Sequence, residues 1–263
     1  MIGYIAAALI GISLGLIGGG GSILTMPVLV YLFHVPPVLA TSYSLFIVGS
    51  TSLVGSIINY RKGQINIKTA LLFGLSSVLT VFAIRKFIIP KIPLHIASIA
   101  GFEVTTPLLT MLLFAILMIA AATSMIRSRT IDNKELDDPG KIKVFKLLFL
   151  GIGIGTVTGL LGAGGGFLLI PVLVLLLHQP MKTAIGTSLL IIAMNSLLGF
   201  TGDLNNFKMD WTLLLTVSGI SAAGMFIGVL LSQKIKGEQL KKAFGWFVLL
   251  MGSYIIIKEL FFK

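Results

Sequence analysis

Two glycine runs are the places where this chain is best equipped to do chemistry. Gly18, Gly19, Gly20 and Gly21 precede Ser22, and Gly162, Gly164, Gly165 and Gly166 form a second run. Glycine lets a ligand approach the backbone closely. Where a helix starts just after such a run, its unpaired N–H groups and positive dipole end make an anion site without any fixed charge. Hydroxyl and amide side chains follow each run. Ser42, Tyr43 and Ser44 follow the first, and Thr187, Ser188 and Asn195 follow the second. All can donate hydrogen bonds to an oxyanion. Arg85 is the one cation set deep in an apolar segment, which makes it a candidate substrate contact.

Each of these residues also has a plainer reading. Ser and Thr commonly join helices inside membranes, and small residues at four-residue spacing let helices pack closely. Gly11 and Gly15, Gly151, Gly155 and Gly159, and Gly224 and Gly228 fit that packing role. Arg85 could snorkel to the membrane surface, with Lys86 and Lys91 following it. His34 and His178 read as helix-end residues, favoured there by the dipole.

Other chemistries are excluded or unsupported. The chain has no cysteine, so disulfides and thiolate metal sites are absent. It contains no nucleotide-binding glycine loop and no catalytic constellation. No metal or cofactor is expected. None of the nine acidic residues lies at the centre of an apolar segment. A coupled proton would then have to ride on the substrate, on water or on a histidine.

The elements that must position these residues are membrane helices. Hydrophobic residues make up 56% of the 263 and charged residues 11%, against about 25% charged in soluble domains. The apolar residues form long continuous runs, near Ile2–Phe33, Val38–Ile58, Thr69–Ile89, Pro107–Ile126, Val144–Leu177, Thr183–Phe200, Trp211–Ser232 and Ala243–Phe262. The net charge of +11 comes from basic residues between these runs. It is read as topology-setting in a lipid bilayer, not as nucleic-acid binding. The first and fifth runs would each be roughly 50 Å long as one helix, against a bilayer core of about 30 Å. Each holds a glycine run, and glycine destabilises a helix interior by about 1 kcal/mol per residue. Each is therefore expected to be two half-helices around a break. Residues Pro93–Thr106 fit either an interfacial helix or an extended loop.

A shift of 144 residues superposes Gly18–Leu45 on Gly162–Leu189 without a gap. Pro27 then meets Pro171, His34 meets His178, Pro36 meets Pro180 and Ser44 meets Ser188. The chain thus divides into a first repeat (1–126), a polar linker (127–143) and a second repeat (144–263). If each broken segment crossed the membrane once, the halves would be parallel and the 20 basic residues would divide 12 to 8 between the two sides. If each broken segment is re-entrant, the halves are inverted and the division is 14 to 6, which fits the positive-inside rule better. The expected fold is an all-α polytopic membrane protein of two inverted repeats, each a glycine-broken re-entrant helix pair followed by three transmembrane helices. Inverted repeats with broken helices recur in secondary transporters.

The sequence GLLGAGGGFLLIPVLVLLL (Gly159–Leu177), followed by MKTAIGTSLLIIAMNS (Met181–Ser196), resembles the sulfite exporter TauE/SafE family. In the first half the A-x-G-T-S-L element reads ATSYSL (Ala40–Leu45), a departure from the pattern. The resemblance implies a multi-pass permease of the plasma (inner) membrane that exports small sulfur-containing anions such as sulfite or organosulfonates. An anion channel, or a non-transporting membrane partner that hands substrate to an enzyme, would carry the same cavity. The partners implied are the small anion and the lipid; the sequence does not fix an oligomeric state.

Overall fold

The computed structural model describes residues 2–91, 95–99, 102–127, 144–161, 166–204 and 208–261. The polar linker beyond Arg127 and the glycines at 162, 164 and 165 lie outside that range.

The first long apolar segment breaks where its glycines predict. Helix α1 (Ile2–Ile17) ends at Gly18, whose φ of 76° suits glycine, and α2 (Gly20–Tyr31) begins two residues later. The chain then doubles back. Tyr4, near the start of α1, packs edge-on against Phe33, just past α2, with ring centroids 5.6 Å apart. In the second half α6 (Val144–Leu161) is followed by α7 (Gly166–Pro171), which widens into a π turn over Val172–Leu176. Lys146 Nζ, near the start of α6, donates to the Leu176 carbonyl at 3.2 Å. Both broken segments therefore bring their far ends together.

Both hairpins close in the same way. His34 and His178 adopt left-handed backbone, φ 54° and 50°. The next residues reach back six positions, Val35 N–H to the Leu29 carbonyl at 3.0 Å and Gln179 N–H to the Leu173 carbonyl at 2.9 Å. This long back-bond satisfies a helix-end carbonyl that lipid could not. Both histidines are exposed, so the helix-end reading holds.

The rest of the first half is α3 (Pro37–Arg61), α4 (Ile67–Ala83, wound on through Ile88), a hairpin of β1 (His95–Ile99) and β2 (Phe102–Thr105), and α5 (Thr106–Arg127). The hairpin is antiparallel, with Ile99 opposite Phe102. Pro93–Thr106 thus holds neither of the forms expected for it; β-branched and aromatic residues there favour strand pairing. The second half continues as α8 (Met181–Asp203), α9 (Trp211–Lys234) and α10 (Gly237–Phe261). Among the described residues five helices are long and apolar enough to cross a membrane: α3, α4, α8, α9 and α10. The protein is an all-α multi-pass membrane protein apart from that one hairpin.

Packing joins the halves to each other. On α1, Gly11 lies against Ser221 and Met225 of α9, and Gly15 against Met225 and Gly228. On α6, Gly151 lies against Phe73 and Ser76 of α4, and Gly159 against Val81 and Ile84. Residue numbers rise together, so both pairs run parallel. At the centre α3 crosses α8 antiparallel: Ser42 meets Asp203, Gly49 meets Leu197 and Gly55 meets Leu189. Likewise Gly252 of α10 meets Ala115, and Gly245 meets Ile126, so α5 and α10 are antiparallel. The outer helices leave Leu71, Leu75, Leu79, Phe226, Leu230, Trp246 and Leu250 exposed, as lipid-facing helices must.

Candidate functional site

The two breaks meet. A Cβ placed on Gly19 would run into the Gly166 carbonyl. One placed on Gly166 would lie 2.9 Å from Gly19 Cα and 3.1 Å from Ser22 Oγ. Gly18 sits against α8, where its Cβ would come within 2.9 Å of Ile185 Cα and 3.0 Å of Ser188 Oγ. Gly18, Gly19, Ser22, Gly166 and Ser188 are thus gathered in one place between the halves. Gly20 and Gly21 form the first turn of α2, with Gly21 packed on the Ile10 carbonyl and Leu14. Among the described residues no side chain caps α2; Ser22 Oγ donates to the Gly19 carbonyl at 2.7 Å instead. The first N–H groups of a helix have no partner within the helix itself, and such starts receive anions.

A polar seam runs along the crossing of α3 and α8. Ser44, Thr51, Ser52 and Ser196 are fully buried, and their hydroxyls have no hydrogen-bond partner among the described residues. Asn195 Nδ2 donates to Ser77 Oγ of α4 at 2.7 Å, while its Oδ1 has no partner among the described residues. Thr51 and Ser52 correspond to Asn195 and Ser196 in the repeat, so the seam is duplicated. A buried polar atom without a partner costs about 1–3 kcal/mol; a row of them on the two central helices suits a path that meets polar solutes.

Two predicted substrate contacts also serve the fold. Tyr43 and Thr187 are equivalent in the repeat. Tyr43 Oη accepts the Asp210 N–H at 2.6 Å, and Thr187 Oγ1 accepts the Asn66 N–H at 3.0 Å. Asn66 and Asp210 are the caps of α4 and α9, and their side chains accept from Thr69 and Leu213 N–H groups. Each hydroxyl therefore holds a helix start of the opposite half.

The remaining pair, Ser42 and Arg85, lies in a third place. Arg85 is not at the surface but 1% exposed. Its Nη1 reaches Asp203 Oδ2 at 3.0 Å and Thr41 Oγ1 at 3.1 Å. Ser42 Oγ donates to the same Asp203 oxygen at 2.6 Å. The sequence reading found no buried carboxylate, and Asp203 corrects it. The apolar run ends at Phe200, yet α8 continues one more turn because a cation 118 residues away accepts its charge in the interior. A buried carboxylate survives only with such a partner.

The comparisons with known proteins agree with this architecture. A family model described as sulfite exporter TauE/SafE matches residues 4–255. The chain belongs to the sulfite exporter TauE/SafE family. It is 30% identical over 257 residues to a "Probable membrane transporter protein" of Xylella fastidiosa (strain 9a5c), covering 95% of this chain and 92% of that protein. It is 27% identical over 236 residues to "Probable membrane transporter protein YdhB" of Bacillus subtilis (strain 168), covering 89% and 91%. No solved structure matches the chain. This TauE/SafE protein is thus a membrane transporter. Within it, sequence reasoning located the breaks and missed the burial of Asp203. The available signal was register: Asp203 corresponds to Asn59, itself buried.

Proposed function

We propose that this chain is a secondary transporter of small sulfur-containing anions, such as sulfite or organosulfonates, exporting them across the plasma (inner) membrane by alternating access. The observation that carries this reading is the meeting of Gly19 with Gly166 beside Ser22 and Ser188. It sets the glycine-rich start of α2 against small hydroxyls, a neutral arrangement suited to an oxyanion. The antiparallel crossing of the equivalent helices α3 and α8 supports inverted repeats, the design that allows one site to open to either side. Membership of the family supports the sulfur-containing class.

Flux into liposomes carrying the purified protein tests the reading, with labelled sulfite, sulfoacetate and taurine. The expected result is saturable uptake that unlabelled anion both competes with and accelerates in exchange. Non-saturating flux without exchange would instead mean a channel. No flux of any of the three would count against transport of this class.

A further inference from the structure

Arg85 and Asp203 are the only buried charged residues among those described, and the repeat shows that the fold does not need them. Asp203 corresponds to Asn59, Arg85 to Val229, Ser42 to Gly186 and Thr41 to Ile185. At that second crossing Asn59 Nδ2 donates to the Gly55 carbonyl at 2.8 Å, and Gly186 packs on Asn59 and the Gln64 backbone. The same helices cross there without a charge. A buried ion pair adds little stability, because desolvation offsets the attraction. Its presence at one crossing alone points to a role in transport.

The ion pair is also only half satisfied. Among the described residues Asp203 Oδ1 and both Nε and Nη2 of Arg85 have no hydrogen-bond partner. Nε and Nη2 form one edge of the guanidinium, the fork that grips an oxyanion with two parallel bonds.

We propose that this cluster couples transport to a proton: Asp203 takes up one proton, releases Arg85, and Arg85 binds one negative charge of the substrate. The proposal rests on the anion-transport reading, though not on its direction. Its charge balance is closed. Empty, the cluster holds Arg85 cation and Asp203 anion, with no net charge. Loaded, it holds Arg85 cation, neutral Asp203 and a monoanion, again with no net charge. Either form can be carried through the low-dielectric interior, whereas a proton alone or an anion alone leaves an uncompensated charge there. Proton and anion therefore travel together in the same direction, and export runs on the outward anion gradient.

Few charged groups surround Asp203. Asp203 faces Ser42 from α3 and Arg85 from α4, with Thr41 behind Arg85. Lys86 turns away, its ammonium 5.4 Å from the Phe82 ring centroid and 5.7 Å from that of Phe87. The only other charged residue of α8 is Lys182, at its far end, and Lys208 and Asp210 beyond it are exposed. Exposed Lys208 and Asp210 set the cluster toward the polar end of α8.

The test uses the full chain in liposomes, with labelled sulfite and with methanesulfonate, which has no proton to exchange near neutral pH. A dye trapped inside reports protons, and potassium with valinomycin clamps the voltage. Wild type should accumulate both anions when the outside is made acidic, with about one proton entering per methanesulfonate and little effect of voltage. Asp203→Asn should retain exchange but lose the response to the pH gradient, and Asp203→Glu should restore it. Wild-type flux without proton entry, or an equal pH response in wild type and Asp203→Asn, overturns the coupling and leaves anion transport standing. The proton count in wild type decides the matter even if Asp203→Asn does not fold. Absence of flux for either anion in wild type defeats the transport reading, and the coupling with it.

Discussion

Tyr43 and Thr187 have a structural task that the sequence does not show. Both sit on the central helices at equivalent positions, both are buried, and both hydroxyls are engaged by a backbone N–H from the opposite half. Nothing in a single chain distinguishes a hydroxyl awaiting a substrate from one that completes a helix start, since the partners are 167 and 121 residues away. Removing the acceptor leaves a part-buried N–H unpaired. Tyr43→Phe and Thr187→Val should each destabilise the protein by about 1–3 kcal/mol, seen as a lower melting temperature in detergent. Anion affinity per folded molecule should be unchanged. A variant that melts normally and binds anion more weakly would return that residue to the substrate site.

At the scale of elements, glycine does two jobs, and the surrounding space separates them. A Cβ on Gly11 would run into the Ser221 carbonyl of α9, and one on Gly224 into the Ala8 carbonyl of α1. These are backbone atoms of rigid helices, so Gly11→Ala and Gly224→Ala must push α1 from α9. Overpacking of this kind costs about 1–3 kcal/mol. Gly153 and Gly219 stand on α6 and α9 with nothing within 4 Å of an added Cβ. There alanine gains helix propensity, up to about 1 kcal/mol. Thermal unfolding of the four variants should thus split by sign, the first two melting below wild type and the last two at or above it. The four-residue spacing of the packing glycines was legible in the sequence because helix faces repeat at that interval. The breaks were legible because adjacent glycines and excess length coincide. The hairpin at His95–Thr105 was not, because short segments bounded by prolines carry no decisive periodicity.

At the scale of the whole molecule, the duplication was the most legible feature and its handedness the least. Glycines, prolines and histidines in a 144-residue register leave little room for chance, and equivalent hydrogen bonds at His34 and His178, and at Tyr43 and Thr187, follow that register. Orientation rested on a 14 to 6 division of basic residues, a weak signal because charges in short loops only bias insertion. The contacts add a stronger argument. If two equivalent helices were related by an axis along the membrane normal, they would run in the same direction; α3 and α8 run in opposite directions, as do α5 and α10. An axis in the membrane plane produces that crossing. The loops after α3 and α8 then emerge on opposite sides. The absence of native cysteine makes this directly testable. Lys62 and Lys208 lie in these loops and are both exposed. Lys62→Cys should react with a membrane-impermeant maleimide only after the cells are opened, and Lys208→Cys should react in intact cells. Labelling of both from the same side would mean parallel halves. The meeting of Gly19 with Gly166 would then need an explanation other than two re-entrant hairpins approaching one site from opposite faces.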